Sequence, residues 1–268
     1  MAFNSIQLTQ TAATLAMAMG IEKPKLAADP IEQVMTMIKD HSKSGICQRV
    51  LVYNPDAIGG WLYQKYNKEF APVMERTQLA IPVLAAFPPV TPVCFGSMFS
   101  GAEPKVHGIT EYVKKLITID TLFDDLPRCG KKTALITRTD SSMATIFLKR
   151  PIDYSPMDSD EEAVQEGFKA LKSGKYDYVD VYNMDYDDSI HETEPESKRS
   201  YDAMVRHIRD FARLVDCASK EWKDYDTLFL FAPDHGIHKT IFGYGDHYCD
   251  IPEDMNIFHF YGFKPAGV

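Results

Sequence analysis

The sequence predicts an α/β protein, a three-layer α/β/α sandwich with a largely parallel central sheet. Three observations point there. Strand-like and helix-like stretches alternate along all 268 residues, the pattern of repeated βαβ units. The runs Arg49–Tyr53 (RVLVY), Lys132–Arg138 (KTALITR) and Thr227–Ala232 (TLFLFA) are largely apolar, as strands covered by helices on both faces must be. Acidic or histidine-bearing segments follow several strands directly, where an open parallel sheet places its ligand-binding edge. With no repeat or low-complexity tract, residues 1–268 are expected to form one unit without a large inserted cap.

In chain order, residues 5–20 and 30–41 have amphipathic helical spacing, and Asp29-Pro30 reads as cap and first turn of the second helix. They form an N-terminal segment, residues 1–45, expected to pack outside the sheet. Arg49–Tyr53 is a central strand that stops at Asn54-Pro55-Asp56, with a helix from about Trp61. Residues 78–86 give the next strand. It runs into Thr91–Ile109 (TPVCFGSMFSGAEPKVHGI), read as a hydroxyl on a tight bend with a helix N-terminus close behind. Such a bend offers N–H groups to an anion, though most such turns only connect elements.

Helices are expected at 110–116 and 120–126, and a strand at 132–138. Ser141–Leu148 has no decisive pattern, and 150–160 reads as a polar loop. A helix at 160–172 leads to the strand Tyr176–Asn183 (YDYVDVYN). The long helix 196–222 carries Met204, Ile208, Phe211 and Leu214 on one side. After Thr227–Ala232, Asn256–Gly262 (NIFHFYG) closes the sheet. The loops at 150–160 and 236–246 are the candidates for a pocket wall.

The formal charge of −9, with no basic run, argues against polymeric nucleic acid as a ligand. The apolar piece Thr11–Met19 has no basic residue before it, and no stretch approaches membrane-spanning length, so no signal peptide and no membrane are expected. Cysteines 47, 94, 129, 217 and 249 are odd in number and share no CxxC spacing. That suits a reducing compartment, and a cytoplasmic location is expected. Oligomeric state has no signature in the sequence.

Acid and histidine residues cluster at the strand ends. Asp56 follows the first central strand, where a lone aspartate ordinarily caps the next helix. Asp187 and His191 are spaced i, i+4, which puts both on one face of a helical turn. Asp234-His235 follows an apolar strand and precedes Gly236, and Asp246-His247 lies in GYGDHYCD. One such pair on a surface usually meets only water. Three pairs with Asp56 and Thr91, all at strand ends, point to a metal site. Carboxylate oxygens with imidazoles suit Zn²⁺ or Mn²⁺ better than Ca²⁺. His41, His207 and His259 read as structural, and Cys94 as a packing residue.

The order of these clusters resembles the alkaline phosphatase superfamily, and most closely its nucleotide pyrophosphatase/phosphodiesterase branch. There a nucleophilic threonine stands sixteen positions before the histidine of a (T/S)GxxPxxHG segment. Here SGAEPKVHG spans Ser100–Gly108, and sixteen before His107 is Thr91. Sulfatases carry a modified cysteine at that offset. The family's first aspartate matches Asp56, with Ala57 in place of its glycine. DxxGH matches Asp187 to His191 with Ile190 for glycine, DHG matches Asp234-His235-Gly236, and the final HG matches His247 with Tyr248 for glycine. The match runs from about residue 49 to 262.

The resemblance implies an alkaline-phosphatase-like domain with two divalent metal ions, Zn²⁺ first and Mn²⁺ as the other candidate. One would be held by Asp56, Asp234, His235 and the Thr91 oxygen, the other by Asp187, His191 and His247. It implies hydrolysis of a phosphodiester or nucleotide pyrophosphate through a phosphothreonine, on a small phosphorylated substrate such as a nucleotide. Backbone N–H groups after Thr91 are the expected holders of a non-bridging oxygen. A phosphomonoesterase, a phosphosugar mutase and a non-catalytic metal-binding relative are the alternatives.

Overall fold

The computed structural model describes residues 2–268. The chain begins with a short strand β1 (Ile6–Gln7), then helices α1 (Gln10–Ala18) and α2 (Glu32–His41). Strand β2 (Arg49–Pro55) is followed by α3 (Gly60–Lys65), α4 (Ala71–Met74) and β3 (Leu79–Leu84). Next come α5 (Thr91–Ser100), α6 (Pro104–His107), α7 (Leu122–Arg128), β4 (Thr133–Arg138) and α8 (Ser142–Ile146). Strand β5 (Asp153–Met157), α9 (Asp160–Lys172), β6 (Tyr178–Asn183), α10 (Asp185–Glu192) and α11 (Lys198–Glu221) follow. The chain ends with β7 (Thr227–Phe231), the ribbon strands β8 (His238–Lys239) and β9 (Gly245–Asp246), α12 (Pro252–Met255) and β10 (Asn256–Lys264).

Eight strands form one sheet in the order β1-β3-β10-β7-β2-β6-β4-β5. All neighbours are parallel except β10, which runs antiparallel to both β3 and β7. Alternating residues of the central strands enter opposite layers. Val50 and Val52 pack with α1, α2, α5, α7 and α8, whereas Leu51 and Tyr53 pack with α3, α4, α9, α10 and α11. This is the expected three-layer sandwich, with β2 and β7 at its centre.

Several local expectations change. Residues 6 and 7 pair with β3 (Ile6↔Val83) instead of starting a helix. The α2 N-cap position is Ile31, without a side-chain cap, while Asp29 binds Lys23 at 2.7 Å. Residues 110–116 are not helical. Gly108, at φ +84°, ends α6, and just beyond 110–116 the buried Arg150 donates to the Ile117 and Ile119 carbonyls (2.9 and 3.3 Å). The proposed loop at 150–160 contains the edge strand β5, separated from β2 by β6 and β4. Its Pro156 needs no ladder hydrogen bond at an edge. Strand β10 lies inside the sheet instead of closing it. Among the described residues, no helix is long and apolar enough to cross a membrane.

Candidate metal centre

The sheet delivers its polar residues to one edge. Asp56 continues β2 by one residue, its N–H reaching the Asn183 carbonyl at the end of β6 (2.9 Å). Asp234 and His235 leave β7, the other neighbour of β2. Asp187 and His191 lie on α10, whose opening N–H groups are held by the Asp160 carboxylate (Met184 3.2 Å, Asp185 2.8 Å). Arg138 pairs with Asp160 in turn at 3.0 Å. Thr91 is the first residue of α5, so the hydroxyl sits on the helix start itself. His247 follows the β8–β9 ribbon, and its Nδ1 meets the Pro89 carbonyl at 2.8 Å, two residues before Thr91.

All seven predicted residues converge. Thr91 Oγ1 lies 3.5 Å from Asp56 Oδ2 and 3.4 Å from His235 Nε2. His235 Nε2 is 3.3 Å from Asp56 Oδ1 and 3.4 Å from Asp234 Oδ2. Asp187 Oδ1 is 3.4 Å from His191 Nε2 and 3.6 Å from His247 Nε2. The tightest groupings are Asp56–Asp234–His235 and Asp187–His235–His247, which places His235 in both. His191 joins through Asp187 and is the most exposed member. The segment 236–246, expected as a pocket wall, contains the ribbon that carries His247 into the group.

These residues fit divalent ions by two independent criteria. Asp56 Oδ1, Asp187 Oδ1 and Asp234 Oδ2 are buried without a hydrogen-bond partner, a costly state unless a cation meets them. Two ligands sharing a tetrahedral ion with bonds of about 2.0–2.2 Å stand about 3.3–3.6 Å apart, the spacing observed between the carboxylates and imidazoles. A further trio, His238, Cys249 and Asp254, lies elsewhere. There His238 Nδ1 meets both Asp254 oxygens at 2.8 and 3.0 Å, the distance of a direct hydrogen bond.

Electrostatics tell the same story. Burial, then the charges of Asp234 and Asp187, hold the Asp56 carboxyl well above the usual range. Burial pushes Asp234 up to about 7. It drives His247 down to about 4 and lowers His235, leaving the neutral imidazoles that bind metals. Burial opposes the charge on Asp187 as well, but His191 at 3.4 Å and the other nearby imidazoles keep its carboxyl low. The Asp187 carboxylate in turn raises His191.

Other residues were not legible beforehand. Tyr182 donates to Asp56 Oδ2, the Ala57 N–H donates to Asp234 Oδ1 at 3.3 Å, and His235 Nδ1 meets the Gly236 carbonyl at 3.0 Å. The one sequence signal for Tyr182 is a polar column, Tyr178-Asp180-Tyr182, alternating with Val179 and Val181. The motif histidine His107 is a bolt for α5: it meets Ser97 Oγ at 3.0 Å, and a Cβ on Gly96 would stand 2.6 Å from its ring. Cys94 is buried with its thiol pushed well up by that burial, consistent with packing. One expectation fails. Pro92 has no N–H, and the Val93 and Cys94 N–H groups both go to the Val90 carbonyl at 3.0 Å, so they hold no substrate oxygen. His41, His207 and His259 lie outside the cluster, on the Met37 carbonyl, the Tyr53 hydroxyl and the Pro233 carbonyl.

The same sheet and helical layers recur in solved structures. Structures of the nucleotide pyrophosphatase/phosphodiesterase branch are among them: murine ectonucleotide pyrophosphatase/phosphodiesterase 5, in complex with AMP, is 16% identical at a TM-score of 0.56, over 72% of this chain and 58% of that one. Phosphonoacetate hydrolase from Sinorhizobium meliloti, bound to phosphonoacetate, is 15% identical at a TM-score of 0.54, over 71% and 57%. The C-terminal periplasmic domain of phosphoethanolamine transferase EptC from Campylobacter jejuni is 13% identical at a TM-score of 0.63, over 81% and 80%. The chain thus spans less than three-fifths of the length of the first two. No protein-family model and no curated protein sequence matches it.

Proposed function

We propose that the chain is a metal-dependent hydrolase of phosphate esters, acting on a phosphodiester or nucleotide pyrophosphate with Thr91 as nucleophile. The observation that carries this reading is the set of three unpartnered, buried carboxylate oxygens facing imidazoles beside a threonine hydroxyl. An anionic phosphate cannot approach three carboxylates unless cations offset their charge. Asp56, Asp234, His235 and Thr91 would hold one divalent ion, and Asp187, His191 and His247 another. The donor set favours Zn²⁺, then Mn²⁺. Bound there, such ions lower the pKa of an adjacent hydroxyl and neutralise charge on phosphate oxygens.

The protein's own part is placement. Helix α5 holds Oγ1 of Thr91 beside Asp56 and His235, with the Pro92 ring and Val93 fixing the first turn. Oγ1 attacks phosphorus in line, the bond to the leaving oxygen breaks, and a phosphothreonine forms. Water then cleaves the new P–O bond and returns the Thr91 hydroxyl. The neutral His235 and His247 keep their ring nitrogens as acceptors, each oriented by a backbone carbonyl at its Nδ1. A small phosphorylated substrate, a nucleotide among the candidates, matches the ligands bound by the structural neighbours.

The test is to strip metal, add back Zn²⁺ or Mn²⁺, and compare bis-p-nitrophenyl phosphate with p-nitrophenyl phosphate. Faster diester turnover that Thr91→Ala abolishes, with a phosphothreonine trapped by mass spectrometry, supports the proposal. Monoester preference would move it to a phosphomonoesterase. No turnover of either substrate with any metal would leave a metal-binding relative.

A further inference from the structure

The two oxygens of Asp56 face different neighbours. Oδ2 accepts the Tyr182 hydroxyl and lies 3.5 Å from Thr91 Oγ1. Oδ1 has no hydrogen-bond partner and lies 3.3 Å from His235 Nε2. Tyr182 has little freedom to do otherwise. It is 1% exposed, and β6 sets it opposite Asn54 in the parallel register with β2. Its ring meets Phe95 edge-on, at 5.0 Å and 84°. Phe95 lies one helical turn after Thr91 on α5. One side chain therefore touches both the carboxylate and the helix that carries the hydroxyl.

We propose that Tyr182 is a positioning residue that commits Asp56 to its cation through Oδ1 alone. The inference rests on the reading of Asp56 as a metal ligand. A carboxylate free to bind through both oxygens serves ions of high coordination number, whereas one with an oxygen occupied serves four-coordinate ions. Tyr182 thereby biases the Asp56–Asp234–His235 site toward Zn²⁺ over Mn²⁺.

Tyr182→Phe keeps the ring and its edge contact with Phe95 and removes only the hydroxyl. Metal-stripped wild type and variant are titrated with Zn²⁺ and with Mn²⁺ by calorimetry, with bound metal counted by elemental analysis. The wild type is expected to take two ions. In the variant one site weakens for Zn²⁺ by about 10–100-fold, Mn²⁺ weakens less, and the second site is unchanged. Loaded with Co²⁺, the variant shows a weaker visible band, because a higher-coordinate ion absorbs less than a four-coordinate one. Should Tyr182→Phe fold poorly, 3-fluorotyrosine at position 182 keeps the shape and strengthens the donor, and the Zn²⁺/Mn²⁺ ratio stays at or above that of wild type. A variant that binds both ions as wild type does, or a fluorinated protein that loses its Zn²⁺ preference, overturns the role of Tyr182 and leaves the metal centre standing. A wild type that binds no divalent ion overturns both.

Discussion

Ala57 donates its backbone N–H to Asp234 Oδ1 across 3.3 Å while holding φ at +62°. That left-handed conformation costs a non-glycine residue about 1–2 kcal/mol. It sits where the family pattern has glycine, and so does Tyr248, at φ +114° after His247. The backbone geometry has been kept and the residue that makes it easy has not. Local strain of this kind persists where the surrounding structure holds it.

Ala57→Gly is accordingly expected to stabilise the fold by about 0.5–1 kcal/mol, the relief of strain less the added freedom of the unfolded chain. Tyr248→Gly is expected to act in the same direction. Urea unfolding of the metal-free proteins measures both, and a loss of stability in each would sink the strain argument.

Gly236 behaves in the opposite sense. A Cβ there would stand 2.1 Å from the Glu253 carbonyl oxygen, and its own N–H bonds the Asp254 carbonyl at 2.7 Å. Gly236→Ala must therefore move backbone beside His235, at a cost of about 1–3 kcal/mol. Thermal denaturation should show a clear drop, with weakened metal binding at the His235 site.

Asp180 provides a pH test away from the centre. It is fully buried, bonded by Asn54 (2.6 Å) and Tyr178 (2.9 Å), and burial pushes its carboxyl up to about 8 from an ordinary 3.8. Between those values the unfolded chain has lost the proton and the folded one retains it. Stability from this group is thus complete below about pH 4 and falls as pH rises, by up to about 1.4 kcal/mol per pH unit, until about pH 8. Asp180→Asn mimics the protonated form. Its advantage over wild type should grow from pH 4 to pH 8 and then level off, and a flat difference would refute the assignment.

Removing metal should destabilise the protein. Asp56, Asp187 and Asp234 face one another with unpartnered oxygens, so ions that bind only the folded state add stability by mass action, about 2.7 kcal/mol at a hundredfold excess over Kd. Chelation should lower the melting temperature, and added Zn²⁺ should restore it. In Asp234→Asn the restoration should be smaller. An unchanged melting curve with Zn²⁺ would count against the site.

The layered α/β class was legible in the chain because apolar runs such as RVLVY and TLFLFA admit burial on both faces only in a sheet covered twice. The acid and histidine clusters were legible because they stand at strand ends or at i, i+4 spacing, and a parallel sheet gathers its strand ends at one edge, while the choice of the seven candidates among them came from the family resemblance. Distances between them were not legible, since those depend on which strands are neighbours. Only the tertiary structure put β10 between β3 and β7, made 153–157 an edge strand, and left 110–116 without a helix. It also paired Tyr182 with Asp56, 126 residues apart. Local pattern determines which face of an element is apolar and where it stops. Partner choice is decided by packing across the whole sheet, a long-range energy that no short stretch of sequence contains.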